Sequence, residues 1–371
     1  MYKLIKQSDK SKARLGELKT AHGTIPTPFF MTIATKGVVR SVDALELKEN
    51  LHLPIVLSNT YHLWLRPGLE VLQKAGGLHQ FMNWPGPILT DSGGYQVFSL
   101  SHLRKLSEEG VKFQSHIDGR WLFLSPEEAI KIQQTIGSDM MMVLDECVPY
   151  PAEYDYAKKS TERSLRWAQR CLKYKNNNDD YKSNPQQALF AIVQGGVYQD
   201  LRQQNAKDLA ALNFDGYAIG GLAVGEPRQE MYQILDWVIP ELPENKARYL
   251  MGVGYPQEIV EGVRRGIDMF DCVIPTREAR HGRLYLWQHD DLSVEDFYST
   301  IHIKNEQFQQ DFAPVDAQCD CYTCKNFTRA YLNHLFRVDD PLFLRLATIH
   351  NVSFYQKLME KIRAGIEGGS L

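Results

Sequence analysis

The feature that most constrains the fold of this chain is a set of eight short apolar runs, each ending in glycine or polar residues. The runs are PFFMTIAT, PIVLSNTY, PILTDSGG, MMMVLDE, ALFAIVQGG, YAIGGLAVGE, RYLMGVG and MFDCVIPT. Each is too short for a free-standing helix, and its Val, Ile, Leu and Met content is typical of a strand buried on both faces. Helix-like stretches separate most of the runs. The sequence therefore predicts an α/β protein of the (β/α)8 TIM-barrel class.

A barrel of this class carries its chemistry at the carboxyl ends of its strands. Polar and glycine residues occupy those predicted ends, and we expect them to form the rim of a candidate active site. The rim residues are Asn59, Asp91, Asp145, Gln194, Gly220, Gly221, Gly252 and Asp271.

The chain is longer than a barrel needs. Its 371 residues exceed the roughly 250 of a typical barrel, so extensions are expected. The predicted parts are an N-terminal antiparallel extension over 1–26, formed by the two runs YKLIKQ and ARLGELKTAHG, the catalytic barrel over 27–275, and a zinc-binding subdomain with closing helices over 276–371. The last helical pattern, NVSFYQKLMEKIRAGI, places Phe354, Leu358 and Ile362 on one face, which suits packing against the barrel as its eighth helix.

Two segments between the runs carry local signals. In LSPEEAIKIQQTIGS, Ser125 suits a helix N-cap, Glu128 would close a capping box, and Gly137 would end the helix. The polar segment 173–187, KYKNNNDDYKSNPQQ, is typical of a solvated loop before the fifth strand.

Composition excludes some classes of protein. No apolar run reaches 18 residues, and the N-terminal MYKLIKQSDK lacks the apolar core of a signal peptide, so we expect a cytoplasmic protein with no membrane partner. A formal net charge of −3 gives no global basic field, although a local patch can still bind RNA.

Three cysteines lie close together in the C-terminal part. Cys319, Cys321 and Cys324 follow the spacing Cys-x-Cys-x2-Cys, and with one imidazole they would form a closed tetrahedral zinc site of the structural kind. His334 and His350 are both available as the fourth ligand. The alternative is unrelated free cysteines beside a core histidine, which the tight spacing disfavours.

The predicted rim could hold a flat heterocycle. Asp91 begins the turn DSGGYQVF, in which Tyr95 offers a stacking face, while Asp145, Gln194 and the Gly221-Leu222 backbone offer acceptors and donors. This set can satisfy the polar edge of a guanine-like base.

Asp271 follows the eighth run. Of two carboxylates, one can attack an anomeric carbon and the other can move protons. The alternative is that each aspartate only caps a helix or pairs with an arginine. A barrel hydrolase acting on a nucleoside or glycoside and a catalytically silent RNA-binding subunit are the competing functions, and the presence of both Asp91 and Asp271 disfavours the second.

Ordered motifs along almost the whole chain give a more specific reading. SNTYHLWLRPG, LTDSGGYQVFSL, LDECVPYP, VQGG, IGGLAVGE, YLMGVG, MFDCVIPTR and the Cys-x-Cys-x2-Cys…His pattern resemble the bacterial tRNA-guanine transglycosylases, also called queuine tRNA-ribosyltransferases. The resemblance implies a pentosyltransferase of queuosine biosynthesis. Such an enzyme exchanges guanine at the tRNA wobble position for a 7-deazaguanine base, with retention of configuration and with base flipping.

Residue roles follow from the resemblance, motif by motif. The aspartate of FDC, here Asp271, would be the nucleophile, and that of DSGG, here Asp91, the general acid/base. Tyr95 would stack on the base. The resemblance assigns base recognition and lining of the pocket to Asp145, Gln194, Gly221, Leu222 and Met251.

The resemblance also bears on specificity and partners. Glu226 matches the residue that orients the GGLA peptide, and Arg277 and Arg280 match positions near the tRNA anticodon loop. Cys147 and Val224 follow the bacterial pattern at the side of the pocket that receives the 7-substituent, which implies 7-aminomethyl-7-deazaguanine rather than queuine. The family pattern selects His350 over His334 as the fourth ligand of one structural Zn²⁺, and it implies a homodimer.

Overall fold

The computed structural model describes residues 1–100, 104–178 and 183–371. In chain order the strands are β1 (Tyr2–Gln7), β2 (Arg14–Thr20), β3 (Gly23–Thr27), β4 (Phe29–Ile33), β5 (Val56–Ser58), β6 (Ile88–Thr90), β7 (Arg104–Leu106), β8 (Val111–Gln114), β9 (Trp121–Leu124), β10 (Met140–Met142), β11 (Ala188–Val193), β12 (Gly216–Ile219), β13 (Ala247–Leu250), β14 (Met269–Cys272), β15 (Arg283–Trp287) and β16 (Tyr298–His302).

The helices alternate with these strands. In chain order they are α1 (Ala44–Glu49), α2 (Thr60–Leu65), α3 (Leu69–Lys74), α4 (Leu78–Met82), α5 (Gly94–Leu100), α6 (Pro126–Ile136), α7 (Tyr154–Asn177), α8 (Gln199–Ala211), α9 (Arg228–Val238), α10 (Pro256–Arg264), α11 (Ile274–Arg280), α12 (Tyr322–Asn326), α13 (Arg329–Arg337) and α14 (Pro341–Gly368). None of the described helices is both long and apolar enough to cross a membrane.

A closed parallel barrel forms the centre of the fold. Its strand order is β4-β5-β6-β10-β11-β12-β13-β14, and β14 returns to pair with β4. Each of the eight apolar runs contributes one of these strands, which confirms the predicted barrel. All residues of β11 and β12 are buried, as expected for strands covered by side chains inside and by helices outside.

The described residues also form three antiparallel sheets outside the barrel, the smallest of which is the pair β15-β16. The N-terminal sheet has the order β1-β2-β3, so the predicted strand pair is incomplete, because Gly23–Thr27 adds a third strand. A second antiparallel sheet, β7-β8-β9, lies between β6 and α6 along the chain.

The local helix signals are largely confirmed. Ser125 caps α6 by accepting a hydrogen bond from the Glu128 amide, and Gly137 ends the helix in the left-handed conformation. The predicted loop over 173–187 is wrong at its start, because α7 continues to Asn177. Residues 179–182 of that prediction lie outside the described residues.

The last helix connects the barrel to the C-terminal part. The first turns of α14 bury Phe343 and Leu346 in a small core with the cysteine-rich segment. Its later turns bury Phe354, Leu358 and Ile362 in the main core, and the helix packs against β4. This confirms the predicted eighth helix, whereas the division of the chain at residues 26 and 275 stays a prediction.

Candidate active site

Asp91 follows β6 directly and is held by the preceding strand–helix connection. Its Oδ2 accepts a hydrogen bond from Asn59 Nδ2 at 2.5 Å, and its Oδ1 accepts from the backbone amides of Thr60 and Gly93, each at 3.1 Å. Asn59 also caps α2 through its Oδ1. Gly93 has φ +77°, and a Cβ there would lie 3.1 Å from the Tyr61 amide nitrogen, so the turn requires glycine.

The surroundings of Asp91 favour its protonated form near neutral pH. Burial raises the pKa of Asp91 from 3.8 to about 7, and the charge of Asp271 adds to the rise. The three hydrogen-bond donors to Asp91 oppose this rise. A carboxyl group with this pKa can both donate and accept a proton at physiological pH, as a general acid/base must.

Asp271 lies on β14, near its carboxyl end, with one oxygen engaged and the other open. Its Oδ1 accepts hydrogen bonds from the Tyr249 hydroxyl at 2.6 Å and from the Gly252 amide at 2.8 Å. Its Oδ2 has no hydrogen-bond donor among the residues that the structure describes. Burial raises the pKa of Asp271, and both donors counteract that rise. The open oxygen is available to a reacting atom.

A third carboxylate, Asp145, forms part of a recognition edge. Asp145 Oδ2 accepts a hydrogen bond from Gln194 Nε2 at 2.7 Å, and burial raises the pKa of Asp145 to about 6. Gln194 is fully buried, and its Oε1 has no partner within the described parts of the chain. A Cβ at Gly221 would lie 2.5 Å from that oxygen, so glycine is required where the Gln194 side chain and this turn approach each other.

The loop after β12 is held by Glu226. Its carboxylate accepts hydrogen bonds from the amides of Ala223 at 2.5 Å and Val224 at 3.0 Å. Because a trans peptide directs its C=O and N–H in opposite directions, the Leu222 carbonyl points away from Glu226. That carbonyl oxygen accepts no hydrogen bond from the described residues.

The remaining rim residues are accessible to different degrees. Tyr95, in the first turn of α5, is 56% exposed. Met251 is half-buried against the main core. Cys147 is also half-buried, and burial raises the pKa of its thiol to about 12, so it stays protonated and is not an activated nucleophile.

A basic cluster follows the strand that carries Asp271. Arg277 is exposed on α11, and Arg280 is half-buried in its last turn. Burial and the positive charges of Arg40 and Arg277 lower the pKa of Arg280. The structure thus adds Arg40, from the loop after β4, to the two arginines that the sequence indicated.

The cysteine-rich segment forms a cluster that could hold a metal ion. The ligand atoms of Cys319, Cys321, Cys324 and His350 lie within 4.8 Å of one another. His350 Nδ1 faces the sulfurs at 3.3–3.9 Å, and its Nε2 lies 2.7 Å from the Tyr285 carbonyl oxygen, which fixes the ring orientation. Among the described residues it is His350, not His334, that completes the cluster.

Another group of possible metal ligands lies at the opposite end of the barrel. Asp139, just before β10, accepts hydrogen bonds from His22 Nδ1 at 2.8 Å and His79 Nε2 at 3.1 Å. The two rings stack at 3.6 Å with their planes only 15° apart. Because an imidazole binds a metal in its ring plane, rings stacked in this way cannot share one ion. The geometry fits two histidines that bridge to one carboxylate.

Several residues at the site escaped the sequence analysis. Tyr249 lies inside an apolar run that was interpreted only as a strand, and Arg202 looks like one more polar residue on α8. Both act on a neighbouring strand end, Tyr249 on Asp271 and Arg202 on the Gly220–Gly221 turn, and no local pattern marks such contacts. Asn59 was placed at a strand end, but its hydrogen bond to Asp91 was not foreseen.

Comparison with known proteins finds similarity along almost the whole chain. The model of the queuine tRNA-ribosyltransferase family matches residues 9–371. A queuine tRNA-ribosyltransferase of Bacillus subtilis is 53% identical over 365 residues, covering 98% of this chain and 91% of the relative. A protein of the same name from Halothermothrix orenii is 52% identical and covers 100% of this chain and 94% of the relative. Another, from a Thermoanaerobacter species, is also 52% identical and covers 98% of this chain and 93% of the relative.

Proposed function

This chain belongs to the queuine tRNA-ribosyltransferase family, and from that premise we propose how its residues perform the reaction. The family activity is that of a pentosyltransferase, a tRNA-guanine transglycosylase of queuosine biosynthesis.

Asp271 is the nucleophile and Asp91 the general acid/base. The open Oδ2 of Asp271 attacks C1′ of the wobble ribose, while protonated Asp91 gives its proton to the departing guanine. The incoming base then gives a proton to Asp91 and displaces Asp271, so that two inversions retain the configuration. The observation that carries this proposal is the pair of rim carboxylates, one with an unengaged oxygen and one with a pKa of about 7.

The base is read by complementary polar groups. Asp145 accepts hydrogen bonds from the N1–H and 2-amino groups of guanine, while Gln194 and the amides of Gly221 and Leu222 face its carbonyl side. Tyr95 stacks on the ring, and Met251 lines the pocket. Asp145 is ionised above its pKa of about 6, as an acceptor of two N–H groups requires.

The incoming base is 7-aminomethyl-7-deazaguanine. Glu226 holds the Ala223 and Val224 amides, which leaves the Leu222 carbonyl as a free acceptor for the ammonium group of this base. Cys147 and Val224 limit the room for a larger 7-substituent, and they therefore disfavour queuine.

Zinc and RNA complete the proposal. The Cys3His donor set suits a closed tetrahedral Zn²⁺ site, and the ion would tie the segment before α12 to α14. Arg277 and Arg280 contact phosphates of the tRNA anticodon loop.

The nucleophile is tested by trapping the covalent intermediate. The parent protein, incubated with tRNA, should exchange labelled guanine and give a protein–RNA adduct that is stable to denaturing electrophoresis. Asp271→Ala should fold, bind tRNA and give neither. Asp215→Asn, which removes a carboxylate paired with Lys175, is the matched control and should behave as the parent.

Two outcomes would contradict the proposal. A normal adduct in Asp271→Ala would move the nucleophile elsewhere, most directly to Asp91. Accumulation of free guanine without exchange would indicate the barrel hydrolase instead of a transferase.

A further inference from the structure

Arg202 is a charged side chain buried beside the base-recognition loops. It lies in the first turns of α8, the helix that follows the VQGG turn, and it is 0% exposed. None of the described carboxylates accepts a hydrogen bond from it, although the charges of Cys147, when ionised, and of Glu226 act on it through space. Burial lowers the pKa of Arg202 to about 10, so it remains a cation at neutral pH.

The guanidinium binds only backbone carbonyls, and these come from two neighbouring strand ends. Nε donates to Gly196 O at 2.7 Å, and Nη1 donates to Val193 O at 3.0 Å and Gly220 O at 2.8 Å. Nη2 donates to Gly221 O at 3.3 Å. One side chain thus fixes the turns after β11 and β12 relative to each other, in the planar multi-donor manner available to arginine but not lysine.

Fixing these carbonyls also fixes the amides on the other side of the same peptides. With the Gly220 and Gly221 carbonyls directed at Arg202, the N–H groups of Gly221 and Leu222 must point away from it. Neither amide donates a hydrogen bond to an acceptor among the described residues. Two adjacent unpaired donors in a Gly-Gly turn are unusual for half-buried and buried residues, because such groups normally find partners.

A purely stabilising role does not account for this arrangement. A buried charge without an ion pair is costly, and turns of this kind can be capped by neutral groups. Two of the four carbonyls bound by Arg202, those of Gly220 and Gly221, belong to the peptides whose amides are unpaired. This turn lies against Gln194, whose Oε1 is also unpaired.

We propose that Arg202 is a positioning residue for base specificity: it holds the Gly221 and Leu222 amides as a preorganised donor pair for the carbonyl oxygen of the guanine ring. The inference rests on the proposed function, since it presupposes that a guanine-like base occupies the rim. Arg202 itself does not touch the base, and it acts through the two peptides.

The test uses competing bases to measure recognition of the carbonyl side of guanine separately from recognition of its 2-amino side. Labelled guanine exchange into tRNA is measured against unlabelled guanine, 6-thioguanine, in which sulfur replaces only the carbonyl oxygen, and hypoxanthine, which lacks only the 2-amino group. In Arg202→Met and Arg202→Lys, we expect the KM for guanine to rise about 10- to 100-fold, as loss of one or two aligned hydrogen bonds predicts. The KM for tRNA should stay within about twofold, because the RNA contacts lie elsewhere.

The decisive readout is a ratio. The preference for guanine over 6-thioguanine should be lost in both variants. The preference for guanine over hypoxanthine should persist, because it depends on Asp145. Arg202→Lys keeps the positive charge but loses the planar set of guanidinium donors. If this variant also lacks the preference for guanine over 6-thioguanine, the positioning depends on those donors and not on the charge. A lysine variant with the parent ratio, or an equal loss of both ratios, would overturn the proposal.

A control at a second buried arginine keeps the result interpretable. Arg248 is also buried and donates to the Leu242 carbonyl, but it lies near the amino end of β13, away from the rim at the carboxyl ends of the strands. Arg248→Met should lower the melting temperature without changing either ratio. Should Arg202→Met fail to fold, Arg202→Lys carries the test alone. If the parent protein exchanges no guanine, the proposed function fails; if the parent exchanges guanine and the ratios do not move, only the role of Arg202 fails.

Discussion

Replacing Asn59 with serine should shift the pH at which the enzyme loses its general acid. Asn59 Nδ2 donates a hydrogen bond to Asp91 Oδ2 at 2.5 Å, and its Oδ1 caps α2. Serine is also a good N-cap, so Asn59→Ser keeps the cap but is too short to retain the bond to Asp91. The variant therefore removes one of three donors that stabilise the ionised form of Asp91.

The magnitude follows from the energy of that bond. Removing a hydrogen bond to a charged group costs about 1.5–3 kcal/mol, and one pKa unit corresponds to about 1.4 kcal/mol. Because water can replace part of the bond at a half-buried carboxyl, we expect the pKa of Asp91 to rise by about one unit. Expulsion of guanine needs protonated Asp91, so kcat/KM for tRNA falls as the pH rises through the pKa of about 7.

In Asn59→Ser this falling limb should move to higher pH by about one unit. When kcat/KM for tRNA is expressed as a fraction of each enzyme's own plateau value, this fraction at pH 9 should be about tenfold higher in the variant than in the parent. The assay is guanine exchange with limiting tRNA over a range of buffers. Asn333→Ser, which removes a buried bond to the Ile303 carbonyl near the metal cluster, should leave the limb in place. A limb that stays, or moves to lower pH, would refute the role of Asn59 and the assignment of Asp91.

Three further perturbations test other parts of the site. Tyr249→Phe removes the hydroxyl that lowers the pKa of Asp271, so the acidic limb of the pH profile of kcat/KM for tRNA should move to higher pH. If the acidic limb lies at the same pH in the variant and the parent, Asp271 is not the ionised nucleophile. Cys321→Ala should lose about one equivalent of zinc and melt at a lower temperature, and metal analysis showing full retention with an unchanged melting curve would contradict the structural site. In competition against labelled guanine, 7-aminomethyl-7-deazaguanine should be preferred over queuine by about 10- to 200-fold, and Val224→Gly should narrow that gap; equal incorporation of both bases by the parent would show that Val224 does not limit the pocket.

The repeated runs were enough to predict the barrel because the signal is strong and local. A strand buried on both faces must be apolar along its whole length, and eight such strands separated by helical segments leave few alternatives. The N-terminal sheet was only partly foreseen. Gly23–Thr27 contains Pro26, which disfavours a strand, but β3 lies at the edge of its sheet, where a missing N–H is tolerated.

The helix–loop boundary before the fifth strand shows an error of the same kind, regular structure where the sequence predicts none. The polar composition of 173–177 is typical of a loop, yet these residues extend α7. Lys175 pairs there with Asp215 at 2.8 Å, a contact between segments that are far apart in the sequence. Tertiary contacts of this kind override local composition.

The sequence by itself determined which chemical groups this protein has and at which strand ends they lie, because strand periodicity and the parallel order place Asp91, Asp145 and Asp271 on one rim. It also determined the three cysteines of the metal cluster. Only the tertiary structure decided how each group is tuned. The resemblance already favours His350 over His334, and the path of α14 brings His350 to the cysteines. Asn59, Tyr249 and Arg202 reach their partners across strand boundaries. The physical reason is that burial and hydrogen bonding set the pKa and the orientation of a group, and both depend on residues that are distant in the sequence.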